Sequence, residues 1–107
     1  MLSSEKLYQK WFRKQNPDRV KNYKLKYSFG ITLVQYNEMF QAQKGLCLGC
    51  YKHQTNFKRA FSVDHDHKTG KIRGLLCTNC NQAVGHAMDS AAVLKRLADY
   101  LENNHAS

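Results

Sequence analysis

Hydrophobic positions in the first half of this chain recur with the period of a helix. Over residues 1–15, Leu7, Tyr8, Trp11 and Phe12 fall at i, i+1, i+4 and i+5. That spacing predicts a short amphipathic helix, which Ser3 or Ser4 can cap. Asn16-Pro17-Asp18 restarts the chain: Asn16 is a good N-cap, Pro17 suits a first helical position, and Asp18 suits the positive end of the dipole. A second helix follows over residues 17–28 and ends at Gly30. Thr32 and Gln35 then make a capping box, Ile31 can staple onto Tyr36, and Tyr36, Met39 and Phe40 form an i, i+3, i+4 core stripe beside Val34. Gly45 is the expected stop.

The period then changes. Residues 51–60 are polar and irregular, whereas Phe61-Ser62-Val63 alternates like a strand with Phe61 and Val63 inward. Lys68-Thr69-Gly70-Lys71 supplies a turn and Ile72–Leu76 a second strand, so a β-hairpin is predicted. Cys77–Cys80 opens a helix that contains Asn81. After Gly85, Asp89 or Ser90 caps a last helix, with Val93, Leu94, Leu97, Ala98 and Leu101 expected to face the core. The class is α+β: helices flanking one small hairpin.

At 107 residues the chain has room for one main core, and a structural metal would be a useful staple. Seventeen Lys and Arg against eight Asp and Glu leave a formal charge of +9, which favours a polyanionic partner, most simply nucleic acid. Eight of those cations (Lys6, Lys10, Arg13, Lys14, Arg19, Lys21, Lys24 and Lys26) lie in residues 1–27, where Tyr23 and Tyr27 interleave with them. That stretch suits a phosphate backbone, and equally a solvated helix with its tyrosines packed inward. No apolar run is long enough to cross a bilayer, no signal-peptide core begins the chain, and a cytoplasmic protein with no membrane partner is expected.

In such a compartment, thiols paired as CLGC and CTNC read as zinc ligands rather than disulfides. Cys47, Cys50, Cys77 and Cys80 form two Cys-x-x-Cys turns, separated by the 26 residues 51–76. Two such turns close a tetrahedron with no open position, so the site would be structural. The hairpin fits between them.

Between the knuckles stands Asp64-His65-Asp66-His67. By itself this run has several readings: a solvated polar turn, a second zinc site, or an acid/base cluster. In a regular strand Asp64 and Asp66 would share one face and His65 and His67 the other.

Taken together, CLGC followed by VDHDHKTGKIRGLLCTNCN resembles the phage recombination endonuclease VII family, a branch of the HNH (ββα-metal, or His-Me finger) nucleases. The resemblance covers roughly residues 28–101, with YSFGITLVQYNEMFQAQKGLC as its lead-in. It implies a zinc-stapled ββα-metal domain over 28–103, a basic helical extension over 1–27 and a tail over 104–107. It implies a metal-dependent DNA endonuclease in which Asp64 and Asn81 bind one Mg²⁺ or Mn²⁺ and His65 is the general base. His67 would orient or contact the scissile phosphate, with Arg73 and Lys71 as phosphate-binding cations. For Asp64 and His65 to reach one phosphate, the strand must end or distort near residue 64. Asp66 then falls to a turn. Some relatives carry an acidic residue near the position of Val84, after the Asn; His86 could compensate, but a surface residue is its simpler reading. The substrate would be duplex, nicked or branched DNA. Junction resolution needs a homodimer, for which the apolar faces of residues 4–15 and 90–101 are candidates. A rival reading is a non-catalytic zinc module that binds nucleic acid, and His53 serves on either view as an ordinary loop histidine.

Overall fold

The structure is a computed structural model that describes residues 3–104. Among them are five α-helices and a two-stranded sheet, an α+β arrangement. The helix expected over residues 1–15 is described from residue 3, and the tail lies, beyond Asn104, outside the described residues. The chain divides between Gln41 and Ala42 into two compact units.

The first unit is helical. Helix α1 (Ser4–Gln15) begins at Ser3, whose hydroxyl accepts from the Lys6 N–H at 3.2 Å. Helix α2 (Pro17–Phe29) has Pro17 in its first turn and ends at Gly30, whose φ of +73° is the left-handed geometry glycine tolerates best. Asn16 departs from its expected role. Its side chain makes no cap for α2 and instead donates from Nδ2 to the Phe12 carbonyl, closing the end of α1. Helix α3 (Leu33–Ala42) carries the predicted capping box in both directions: Gln35 N–H donates to the Thr32 hydroxyl, and Thr32 N–H donates to Gln35 Oε1. A further cap comes from α2, where Asn22 Oδ1 accepts from Leu33 N–H at 2.7 Å. Leu25 and Tyr36 are buried, burial pushes the Tyr36 phenol up, and the Lys21 ammonium lies 4.6 Å from the centre of its ring. The apolar stripe of α1 is exposed at Leu7, Tyr8 and Trp11.

In the second unit, a single 3-10 turn (Gln54–Asn56) interrupts the polar loop. His53 caps that turn, its Nδ1 accepting from the Thr55 N–H, and is exposed, an ordinary loop histidine. Strand β1 (Ser62–His65) pairs antiparallel with β2 (Ile72–Leu76). Helix α4 (Thr78–His86) packs on both strands, and α5 (Ala91–Asn104) follows. The core is Cys47, Phe61, Val63, Leu75, Leu76, Cys77 and Ala87, with Phe57 edge-on to Phe61. The inward face predicted for α5 is not borne out. No α5 residue is buried; Val93 and Leu94 are half-buried, while Leu97 and Leu101 are exposed. The helical period holds, but period alone does not supply a surface to cover the stripe.

Candidate functional site

Each cysteine pair is shaped by its own turn. Ahead of the first, Lys44 and Gly45 both take positive φ and turn the chain out of α3. Tyr51, at φ +60°, reverses it again, so that Tyr51 N–H donates to the Cys47 carbonyl and Cys47 N–H to that of Lys52. Gly49 has no side chain for a packing reason: a Cβ there would lie 2.8 Å from Cys80 Sγ and 2.9 Å from its Cβ. The second pair opens α4, with Cys77 as the N-cap and its sulfur accepting from Cys80 N–H.

The four sulfurs gather within 4.8 Å of one another, with Cys50 and Cys77 at 3.9 Å. A tetrahedral zinc, with bonds of about 2.3 Å, would put its sulfurs about 3.8 Å apart. The soft donors and their spacing therefore fit zinc. Electrostatics agree for one thiol. Burial would push Cys47 up, but N–H groups of Cys77, Cys50 and Gly49 directed at its sulfur outweigh that and bring it down to about 6. Burial and neighbouring thiols push Cys80 up, as expected where four sulfurs share one space.

Gln43, which no sequence motif singles out, joins this centre to the hairpin. Its Oε1 accepts from Leu75 N–H at 2.9 Å, and its Nε2 donates to the carbonyls of Leu75 and Leu46. One amide thus takes the place of a third strand on the open edge of β2, where Leu75 is fully buried. Gln43→Ala would leave the buried Leu75 N–H without its acceptor, while the Leu75 carbonyl keeps the Leu48 N–H at 3.4 Å, and a loss of about 1–3 kcal/mol in chemical denaturation is expected. Gln43→Glu, which cannot donate to either carbonyl, should be at least as damaging.

The carboxylates and imidazoles sit at the far end of the hairpin. Pairing runs Ser62–Leu76, Val63–Leu75 and Asp64–Gly74, and then slips, so that His65 faces Ile72. Arg73 is the extra residue, and the distortion anticipated near residue 64 is present as a β-bulge. In an unbroken ladder Arg73 would stand opposite His65, on the face away from Asp64. The bulge turns it instead onto Asp64, with Nε 2.8 Å from Oδ2 and Nη2 3.0 Å from Oδ1. Nη2 also donates to Asp89 Oδ1 at 3.2 Å. Asp64 first, then Asp89, hold the guanidinium's pKa above its ordinary value.

The other predicted site residues lie on the hairpin, its turn and α4. The His65 and His67 rings lie 4.9 Å apart, and His67 Nε2 is 3.9 Å from Asp89 Oδ2. Asp66 forms the turn: its Oδ1 accepts from the N–H groups of Lys68 and Thr69, and bonds from Thr69 and Lys68 hold its carboxyl below the usual range. Lys71 lies exposed at the start of β2, its N–H bonded to the Thr69 hydroxyl. Asn81 and Val84 are half-buried on α4, and His86 is exposed at its end.

Asp89 is the site residue that sequence reasoning misses. Two cap candidates stand in a row before α5, and only one can serve. Ser90 takes the role, accepting from Val93 N–H at 3.1 Å, which leaves Asp89 for Arg73. Met88 and Asp89 both adopt left-handed backbone, φ +55° and +58°.

Comparison with known proteins matches residues 22–103 to the recombination endonuclease VII family, which leaves α1 and the start of α2 outside the match. A Gene 59 protein of Mycobacterium phage D29 is 47% identical over 75 residues, covering 69% of this chain and 45% of its own length. A Gene 59 protein of Mycobacterium phage L5 is 46% identical over 77 residues, 71% of this chain and 46% of its own. The chain thus spans under half the length of these curated relatives.

Proposed function

Because the chain belongs to the recombination endonuclease VII family, we propose that it is a DNA endonuclease with an HNH-type ββα-metal site and a structural Cys₄ zinc. On this reading residues 28–103 are the nuclease domain and residues 1–27 a basic extension. The observation that carries it is the bulge at Asp64 and His65, on a hairpin packed by the helix that bears Asn81. Neither a plain zinc module nor a polar turn gives a reason to place those groups at a deliberate break in the ladder.

Asp64 and Asn81 would hold one Mg²⁺ or Mn²⁺. Carboxylate and amide oxygens suit such hard cations, and Asp64 already attracts a cation in the form of Arg73. Bound there, the cation supplies charge relief at the leaving oxygen. His65 takes a proton from water as the water oxygen bonds phosphorus and the bond to the 3′ oxygen breaks; the departing 3′ oxygen takes a proton from solvent, leaving 5′-phosphate and 3′-hydroxyl ends. An imidazole suits that task because it titrates near neutrality. His67 orients the phosphate, and Arg73 and Lys71 supply positive charge toward its oxygens. Paired cuts in a branched substrate would need two copies of the chain, and a phage nuclease of this kind would work in the host cytoplasm.

The deciding experiment is plasmid and branched-DNA cleavage by zinc-loaded protein with and without Mg²⁺ or Mn²⁺. Binding without any cutting of either substrate would leave the non-catalytic zinc module as the better reading. A second measurement addresses the extension. Leu25 is buried in α2 and Asn22 caps α3, so substitution is a cleaner probe there than deletion. Changing the exposed Lys10, Arg13, Lys14 and Lys24 to Gln should flatten the dependence of log affinity on log salt, by about 0.9 for each phosphate no longer neutralised. An unchanged slope would move the DNA surface elsewhere.

A further inference from the structure

Arg73 is held by two carboxylates, and that arrangement has a charge logic of its own. Asp64, Asp89 and the guanidinium together carry one net negative charge, so a divalent cation entering beside Asp64 leaves the cluster with one net positive charge. A phosphodiester, singly negative, matches that value. The cation cannot take both Asp64 oxygens while Arg73 covers them at 2.8 and 3.0 Å. Asp89 offers the displaced guanidinium somewhere to remain, since Nη2 already reaches it. Its backbone is shaped for the purpose: consecutive left-handed residues at Met88 and Asp89 are uncommon away from glycine, and Asp89 N–H is secured on the Val84 carbonyl at 3.1 Å.

We propose that Arg73 is a resident counter-cation of the site, displaced from Asp64 when the divalent ion binds, and that Asp89 is the positioning residue that retains it at the site's edge for the scissile phosphate. This rests on the reading of Asp64 as a cation ligand. Arg73 is the one β2 residue with no partner across the ladder, so swinging its side chain off Asp64 breaks no strand pairing. Asp64 is the less exposed of the two acids, 13% against 21%, so an unneutralised charge is costlier there and a resident cation more useful.

The test is Mn²⁺ binding by electron paramagnetic resonance, on zinc-loaded full-length protein without DNA. Arg73→Gln removes the competitor and should tighten Mn²⁺ binding by about twofold to fivefold, the upper part of the range that a partly exposed ion pair spans. Arg73→Lys, which keeps the charge but loses the fork, should stay near wild type. Asp89→Asn removes the second anchor, holds Arg73 on Asp64, and should weaken Mn²⁺ binding by a similar factor. In the Arg73→Gln, Asp89→Asn double variant that loss should vanish, because nothing is left to anchor. A loss that persists in the double variant would make Asp89 a direct ligand and overturn the proposal, as would Arg73→Gln binding no tighter than wild type. Mn²⁺ binding that is absent, or indifferent to Asp64→Asn, would overturn the Asp64 reading and this proposal with it. Asp64-dependent binding without the Arg73 effect would overturn this proposal alone.

Discussion

His65→Ala should slow DNA cleavage by about 10²–10⁴-fold, the usual contribution of a positioned general base, while zinc content and DNA affinity stay near wild type. The separation is expected because His65 sits at the end of β1, whereas the cysteines lie at Cys47–Cys50 and the start of α4. Asn81→Ala should behave differently. With Asn81 as a proposed cation ligand it should weaken divalent-ion binding, so part of its loss should return at high Mn²⁺, and Asp64→Asn should be more severe because the proposed charged ligand would be lost. His53→Ala is the control, since that exposed side chain bonds to Thr55 within its own loop turn, away from the bulge. Cleavage by His65→Ala at the full rate would remove the residue at the centre of the proposed mechanism.

Zinc removal should unfold the second unit. Metal binding in small structural zinc sites is worth on the order of 10 kcal/mol, comparable to the whole stability of a small domain. Two residues of that unit's core, Cys47 and Cys77, are ligand candidates, and the core has few large side chains to hold it otherwise. Cys77→Ser should therefore lose the thermal transition together with activity, and a strong chelator should do the same to the wild type. Acid acts in the same direction. Protons compete with zinc for the four thiolates, and the N–H groups that bring Cys47 down favour its thiolate, so zinc should be lost only as acid overcomes the metal's own hold on the sulfurs. Zinc release, followed with a colorimetric chelator, should rise accordingly. Soluble, folded protein with no zinc by elemental analysis and an unchanged melt would refute the staple.

The helices, the hairpin and the four-thiol spacing are legible in the sequence because each depends on residues close together in the chain. A period of apolar positions, a Thr-x-x-Gln capping box and a Cys-x-x-Cys turn are local patterns, and the structure realises all three. The need for a break near Asp64 is legible only through the family resemblance, which asks Asp64 and His65 to reach one phosphate although strand side chains alternate, and it does not say which strand carries the extra residue. What escapes are the partnerships over long separations. Gln43 reaches Leu75 across 32 residues and Arg73 reaches Asp89 across 16, and no periodicity announces either. The apolar stripe of α5 is correct as a stripe and wrong as a buried face, because a helix's period says which side chains share a face and nothing about what that face meets. The sequence by itself determined the elements and the chemistry available to them, since both reside in residue type and spacing. Only the tertiary structure decided that Arg73 leaves its ladder position for two carboxylates, because that choice depends on where β2, Asp64 and the left-handed turn at Asp89 converge.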